Sequence, residues 1–466
     1  MKLDIVINHG SFFDPARREL IKGNIGIKNG QIVCVNAKER VECEIEIDGA
    51  GAIVLPGFID VHAHLRDLEH SYKETFASGT KAAIHGGVTT LVCMPNTKPA
   101  VSRPSILSDY MARARATSYC NVGFYSGYPL DDRDLPALKN LGIAGVKIYM
   151  ERSLEWLDWA DKNVLGMAIR NVIEEGLPLH VHPGTVHTKE ADGLAYLQFM
   201  QEQNCNPLQA HSRVHSDVME ANGIDRILGL AAAARLEDPS MKPAIHVCHV
   251  SSALALQAIK GWRERFSGTI TAEATPHHMF LSCDTRFEKD VIAKVLQPLR
   301  PQVDVDTIFN AVVDGTIDMV ASDHAPHTAE EKLVPFLDAP SGFPVLDIYA
   351  PLLLTYMVKR GAPLGTIVRA CCEAPAAKLG LGTSKGIIKK GADADIIVAR
   401  KVEPYIPNID NFQSQSRFSP YVAAGMELEW EITHVVVNGE LQLEDGVLVG
   451  QPSNRLLFNN RSKLAS

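Results

Sequence analysis

The alternation of apolar and polar residues divides the chain into two kinds of region. Within residues 1–54 the stretches LDIVINHGSFFD, GNIGIKNGQIVCVN and CEIEIDGAGAIVLPG alternate around Asn-Gly and Asp-Gly pairs. A period of two is typical of β-strands, and these pairs favour tight turns. The pattern returns near the other end, where ITHVVVNGELQLEDGVLV predicts a hairpin at Asn438-Gly439. Residues 1–54 and 385–466 are therefore predicted to form one small β-sandwich.

Between residues 55 and 384 the chain changes to a repeating order of apolar strand, polar loop and helix. The order recurs about eight times, which indicates an α/β fold with a parallel (β/α)8 TIM-like barrel. The predicted strands end near His64, Asn96, Tyr128, Tyr149, His182, His249, His277 and Asp323. The barrel, residues 55–384, is the larger predicted domain.

One connection of the predicted barrel is unusually long. Roughly sixty residues follow His182 before the next strand, far more than most connections of this kind contain. The segment SDVMEANGIDRILGLAAAARLED within it has helical periodicity. We expect it to lie over the mouth of the barrel, while the role of residues 185–240 stays open. His211 and His215, also in this insertion, are predicted to be exposed to solvent.

Composition and charge exclude several classes of protein. The 466 residues are 46% hydrophobic and 22% charged, as in ordinary globular proteins, and the net charge is -9. Nucleic acids and anionic membranes select basic surfaces, so neither is an expected partner. No apolar run approaches the roughly 20 residues of a membrane helix. Nine cysteines without CxxC pairs are typical of reduced thiols, which favours a cytoplasmic protein.

Unexpected polar residues recur at the predicted strand ends, where barrels of this kind place their chemistry. They are His62, His64, Lys147, His182, His249 and Asp323. Such nitrogen and oxygen donors suit zinc, and manganese, cobalt or iron would also fit. On its own, the His62 and His64 pair also fits two hydrogen-bonded core histidines. Cys248 is predicted to face away from the site, because neighbouring strand residues point to opposite faces.

Five motifs in this order carry a family resemblance: PGFIDVHAHLRD, MPNTKPAVS, HVCHVSS, ATPHHMFL and ASDHAPHTAEEK. Together they resemble the amidohydrolase superfamily and, within it, the dihydroorotase branch, with hydantoinases and allantoinases as near relatives. The resemblance implies two divalent metal ions, most commonly Zn2+. It assigns His62, His64 and Asp323 to one ion, His182 and His249 to the other, and a bridging carbamate, formed from carbon dioxide, to Lys147.

The resemblance also implies an activity. The family interconverts (S)-dihydroorotate and N-carbamoyl-L-aspartate in de novo pyrimidine biosynthesis by hydrolysing a cyclic amide. A hydroxide shared by the two metal ions attacks the carbonyl, and Asp323 is expected to act as general base and acid. The expected partner is this small-molecule substrate, and the resemblance implies a homo-oligomer. Whether a transcarbamoylase binds the surface stays open.

The substrate is less certain from the sequence than the chemistry. By resemblance, Arg66, Asn96 and His327 hold the substrate carboxylate. The chain departs from the family pattern in three places around the pocket: Leu296 stands in place of an asparagine, Ser341-Gly342 lies in an altered segment, and Pro183-Gly184 replaces Ala-Glu.

Three alternatives follow from these departures and from the residues themselves. In the first, the enzyme acts on a neutral ring, as hydantoinases, dihydropyrimidinases and allantoinases do. In the second, the barrel is catalytically silent and serves as a scaffold. The third concerns one residue: Arg66 only forms an ion pair with Asp67 or Glu74.

Overall fold

The computed structural model describes residues 2–35, 42–202, 204–453 and 455–457, which form two sheets surrounded by helices. In chain order the strands are β1 (Leu3–Asp14), β2 (Glu19–Lys28), β3 (Gln31–Val35), β4 (Cys43–Asp48), β5 (Ala52–Pro56), β6 (Phe58–Ala63), β7 (Val88–Cys93), β8 (Asn121–Gly127), β9 (Gly145–Tyr149), β10 (Leu179–His182), β11 (Ala244–Val247), β12 (Thr269–Ala274), β13 (Met319–Val320), β14 (Ile396–Tyr405), β15 (Leu428–Val437), β16 (Glu440–Glu444) and β17 (Val447–Leu448).

The helices lie mainly in the connections between the strands of the second sheet. They are α1 (Phe76–His85), α2 (Pro104–Thr117), α3 (Leu135–Leu141), α4 (Lys162–Glu174), α5 (Lys189–Glu202), α6 (Pro207–Val214), α7 (Asp217–Glu237), α8 (Ala253–Arg265), α9 (Pro276–Phe280), α10 (Gln302–Asp314), α11 (Ala329–Lys332), α12 (Tyr349–Lys359), α13 (Leu364–Val368), α14 (Ala374–Lys378) and α15 (Pro420–Ala423). None of those within the described residues has the length and apolar character that a membrane crossing requires.

Strands β6 to β13 form the predicted barrel. Each pairs in parallel with the next, and the two ends meet where Ala63 forms a parallel bridge with His324, just beyond β13. The backbone N–H of His64 donates to the His324 carbonyl at 2.8 Å. The strand predicted to end near His277 stops at Ala274, because Thr275 caps a new helix, α9, in which Pro276 takes the first position and His277 the second.

Both ends of the chain build the other sheet, which confirms the predicted β unit beside the barrel. Strand β5 pairs with β1 on one side and with β14 on the other. The outer strand β3 contacts the segment that leads into β14: the Ile32 N–H donates to the carbonyl of Ala392, just before that strand, at 2.9 Å. Side chains from both ends, such as those of Ile5, Ile27 and Ile396, share one apolar cluster. The predicted hairpin at Asn438-Gly439 joins β15 to β16, with positive φ at both turn residues.

The long insertion contains helices α5, α6 and α7. Helix α7 packs against α4 and α8, so it belongs to the outer ring of helices. The expectation that it lies over the barrel mouth is therefore wrong for most of its length, and only its first turns reach the mouth, where Glu220 accepts from Ser251. The end of α6 also reaches the mouth, where the carbonyl of His215 accepts a hydrogen bond from Arg300 at 2.6 Å.

Candidate active site

Three predicted metal ligands converge at the carboxyl ends of β6 and β13. The Asp323 Oδ1 atom lies 3.2 Å from His62 Nε2 and 3.1 Å from His64 Nε2. All three side chains are buried. One donor atom from each lies close enough to those of the other two for a single cation to bind all three.

Hydrogen bonds on the far side of each imidazole fix which nitrogen faces Asp323. The Nδ1 atom of His62 bonds to the Glu273 carboxylate, and that of His64 lies 2.5 Å from the Asn96 Oδ1. Both partner oxygens only accept, so each Nδ1 carries the proton and each Nε2 keeps a lone pair. Two lone pairs then face a carboxylate oxygen, which is favourable only with a cation between them.

Electrostatics favour the same protonation states. Burial lowers the pKa of His62, and that of His64, below its ordinary value, so both rings are neutral at physiological pH. Burial alone would raise the pKa of Asp323, but the adjacent His62 and His64 outweigh it and bring the pKa below its ordinary value. Neutral imidazoles and an ionised carboxylate are the forms that bind a metal ion.

The second predicted group lies beside the first. The rings of His182 and His249 have their centroids 4.5 Å apart, and those of His62 and His249 are 5.3 Å apart. The Nδ1 atom of His249 is buried and has no hydrogen-bond partner in the described part of the chain. An unpartnered imidazole nitrogen at this position fits a metal ligand.

Lys147 is buried at the centre of these residues, with only 1% of its surface exposed. Its Nζ atom lies 2.9 Å from Cys248 Sγ and forms no ion pair with the described residues. Cys248 therefore points towards the site, and the prediction that it faces away is wrong. Strand β11 ends at Val247 and His249 has a φ of 36°, so the alternation of faces no longer applies at Cys248. A buried ammonium without a counter-charge is costly, which fits an amine that reacts further.

Three residues of the site have a left-handed backbone. Arg66, His249 and Asp323 have φ values of 56°, 36° and 46°, in the left-handed region that such residues seldom adopt. Strained residues of this kind persist where the surrounding structure fixes them, and they cluster at functional sites.

Two of the predicted substrate-binding residues lie together on the loops above the metal ligands. The Arg66 Nη2 atom is 3.4 Å from His327 Nε2, and its Nε donates to the Pro326 carbonyl at 3.3 Å. Asp67 pairs instead with Arg113 at 3.2 Å. Glu74, the other alternative partner, accepts hydrogen bonds from Ser78 and Ser414. Within the described residues no carboxylate forms an ion pair with Arg66, so the alternative of an ion pair with Asp67 or Glu74 is wrong.

The third predicted substrate residue has a different contact. The Oδ1 atom of Asn96 accepts from His64, so this side chain orients a predicted metal ligand. The altered segment at Ser341 is also in contact with the site, because its carbonyl lies 3.1 Å from His327 Nε2. Burial, and then Arg66, lower the pKa of His327 far below its ordinary value, so this ring is neutral and its Nε2–H donates to that carbonyl.

The insertion contributes buried residues to the mouth. His211 and His215 are only 5% and 8% exposed, so their predicted exposure is wrong. Gly184 leaves room for a neighbouring carboxylate: a Cβ atom there would lie 2.9 Å from the Glu151 side chain. Glu151 thereby reaches His182, with 3.9 Å between its Oε2 and the imidazole Nε2. The Pro183-Gly184 departure thus leaves a carboxylate beside His182, supplied by another loop.

Comparison with known proteins identifies the family of this site. The family model described as dihydro-orotase-like matches residues 51–147, and that of the amidohydrolase family matches residues 236–441. A dihydroorotase of Methanothermobacter thermautotrophicus is 31% identical, over 91% of this chain and 91% of its own length. One from Thermus aquaticus is 32% identical, over 85% of this chain and 89% of its own. The chain belongs to the dihydroorotase family. Membership in this family of amidohydrolases implies the use of divalent metal ions.

Solved structures support the fold of this family member. An L-hydantoinase (dihydropyrimidinase) from Arthrobacter aurescens superimposes with a TM-score of 0.87 at 22% identity, covering 98% of this chain and 99% of its own. A D-hydantoinase (dihydropyrimidinase) from Thermus sp. gives 0.83 at 25% identity, covering 97% and 98%. The barrel with its terminal sheet is therefore shared with these hydantoinases.

Sequence reasoning missed one residue of this family member's site, Glu273. It is fully buried, bonds to His62 Nδ1 through one oxygen and to His246 Nε2 at 2.8 Å through the other. The signal was present, since a single carboxylate in the apolar strand TITAEA is as unexpected as Lys147 in its own strand.

Proposed function

We propose that the protein is a dihydroorotase that interconverts dihydroorotate and N-carbamoyl-aspartate by hydrolysis and re-formation of the cyclic amide. Family membership supports the reaction class, and the buried, unpaired Arg66 beside His327 supports a substrate that carries a carboxylate. A guanidinium is always charged and matches a carboxylate with two parallel hydrogen bonds. A neutral ring would leave this buried charge without a partner.

The residues at the strand ends fit two divalent ions, with zinc as the proposed metal. His62, His64 and Asp323 would hold one ion, and His182 and His249 the other. When bound, such ions lower the pKa of a shared water and polarise the carbonyl under attack. Lys147 is proposed to react with carbon dioxide, losing a proton and becoming an anionic carbamate, which would supply oxygen donors to the two ions.

Asp323 is proposed to move the proton. Its carboxylate accepts a proton from the attacking water and donates it to the ring nitrogen as the amide bond breaks. Arg66 and His327 hold the substrate carboxylate away from this centre and thereby orient the ring. Asn96 acts on the same centre from the other side, by holding the His64 ring so that its Nε2 faces Asp323.

The test compares substrates with and without a carboxylate. The zinc-loaded protein is incubated with dihydroorotate and, separately, with hydantoin, dihydrouracil and allantoin, while the ring-amide absorbance is followed. We expect turnover of dihydroorotate and a loss of kcat/KM on the order of 10²- to 10³-fold in Arg66→Ala, because a buried charge contact is worth about 2–5 kcal/mol.

The matched control is Arg113→Ala, which removes a neighbouring arginine whose partner is Asp67 and whose side chain is 47% exposed. This variant should keep its kcat/KM for dihydroorotate. Turnover of a neutral ring alone by the unaltered protein would overturn the proposed substrate and leave a hydantoinase-type reaction. No turnover of any ring, with both metal ions bound, would support the silent-barrel alternative.

A further inference from the structure

A second group of metal-binding side chains lies at the barrel mouth, outside the six strand-end residues described above. It consists of Glu151 after β9, His187 in the loop after β10, and His215 at the end of α6. One donor atom from each lies within 4.8 Å of those of the other two. Three separate segments of the chain therefore bring these groups together.

The distances within this group are too long for hydrogen bonds and suit a shared cation. The Nε2 atom of His187 lies 3.7 Å from Glu151 Oε2 and 3.5 Å from Asp192 Oδ2. Two ligand atoms bound at about 2.0–2.2 Å to a tetrahedral zinc ion are separated by roughly 3.3–3.6 Å. The pairs at the strand ends, His62 and His64 with Asp323, have similar separations.

Two buried ring nitrogens of the group lack hydrogen-bond partners within the described part of the chain. The ring of His215 makes no hydrogen bond there, although the residue is only 8% exposed, and its Nδ1 is fully buried. The Nδ1 atom of His187 is also buried without a partner. The neighbouring His211 differs, because its Nε2 donates to the Val295 carbonyl at 3.0 Å. Buried polar atoms without partners require an explanation such as a bound ion.

Charge and protonation state suit a divalent cation as well. His215 is buried, which disfavours a charged imidazolium and favours the neutral ring with a lone pair. Glu151 and Asp192 contribute two negative charges, which a divalent ion would neutralise. Arg300 donates to the His215 carbonyl, so it fixes the backbone here without occupying the ring nitrogens.

We propose that Glu151, His187 and His215, with Asp192 as a further oxygen donor, form an additional zinc site at the barrel mouth. The ion would fasten the start of the insertion and the end of α6 to the loop after β9. Glu151 also lies 3.9 Å from His182, so the site adjoins the strand-end centre through this side chain. The proposal gives the insertion a structural role that its sequence left open.

The experiment counts metal ions in matched variants. The full-length protein is loaded with zinc, passed through metal-free buffer and analysed by mass spectrometry of its metal content. Glu151→Gln and His215→Gln, which alter ligands from two different segments, are each expected to hold one zinc ion fewer than the unaltered protein. His211→Gln, in which the replaced ring has its own partner, is expected to keep the full number.

A second measurement separates this site from the strand-end centre. His62→Ala should lower the zinc content, while the insertion stays protected by zinc from limited proteolysis between residues 185 and 206. In His215→Gln that protection should be lost, so the insertion should be cleaved equally fast with zinc and with a chelator. Equal zinc content in the unaltered protein and in both ligand variants would overturn the proposal, as would an equal loss in His211→Gln. Neither result depends on which ring the enzyme hydrolyses.

Discussion

The strand-end residues and the loops of the mouth are held in place by different means. His62 lies within β6, and its ring is fixed by the fully buried Glu273 from β12. His327 lies on a loop, where its Nε2–H donates to the Ser341 carbonyl and its Nδ1 accepts from Lys73 Nζ at 3.3 Å. The first arrangement rests on neighbouring barrel strands and the second on contacts between loops.

This difference in support separates the residues proposed for catalysis from those proposed for substrate binding. The groups proposed to activate water need fixed distances, and strand ends in a closed barrel provide them. The groups proposed to bind the substrate lie on loops, which tolerate changes in sequence. The departures at Leu296, Ser341 and Pro183-Gly184 all fall on the loop side, whereas all six strand-end ligands are present. The comparison predicts large effects at the strand ends and graded effects on the loops.

The largest effect is expected for Asp323→Asn. Asparagine has nearly the same shape and tolerates the left-handed backbone at this position, so the fold should persist. It cannot accept the proton from the attacking water, and we expect kcat to fall on the order of 10²- to 10⁴-fold. The measurement is kcat at saturating dihydroorotate together with zinc content. A variant that keeps its zinc and loses less than a factor of ten would contradict the assigned role.

An intermediate effect is expected for Glu273→Gln. The carboxylate fixes the tautomer of His62 and also bonds to His246, so the amide should leave the metal ligand less well oriented. Losing such a supporting contact commonly weakens metal binding by about 10- to 100-fold. Zinc competition with a chromogenic chelator measures the change.

Glu220→Gln is the matched control for this prediction. Glu220 is an equally buried carboxylate, but its partners are Ser251, Ser252 and Arg300. The zinc affinity of the Glu220→Gln variant should equal that of the unaltered protein. If both variants lose affinity equally, the effect reflects general destabilisation, and Glu273 has no specific role in positioning His62.

Much of the barrel could be predicted from the sequence, because each strand is a short apolar run with a polar residue at its end. His62, His64 and Asp323 were predicted as ligands of one ion, and the structure brings their donor atoms together. Period-two reasoning failed at Cys248, since the strand ends one residue earlier and the backbone then turns. The rule of alternating faces holds only while the residues stay extended.

Long-range packing explains the other errors. Nothing near His215 in the sequence shows that it is buried, because the groups around it come from the loops after β9 and β10 and from the segment at Arg300. The same holds for α7, whose place in the outer ring depends on α4 and α8. Contacts between loops distant in sequence carry no periodic signal, so the mouth was less predictable than the strand ends.

The smallest effect is expected at a loop support, Lys332→Met. The Lys332 side chain is fully buried, and its Nζ donates to the carbonyls of Lys294, Pro340 and Gly342 at 2.8–2.9 Å. These bonds fix the turn that contains Ser341, whose carbonyl positions His327. Methionine fills similar space but leaves three carbonyls without a donor, so the turn should loosen while the strand ends stay unchanged. We therefore expect KM for dihydroorotate to rise roughly tenfold, equivalent to about 1.4 kcal/mol, with kcat nearly unchanged. Lys401→Met, at an exposed lysine of β14, should change neither constant. A fall in kcat with KM unchanged would show that this loop supports the chemistry itself, and the separation between strand ends and loops would then fail.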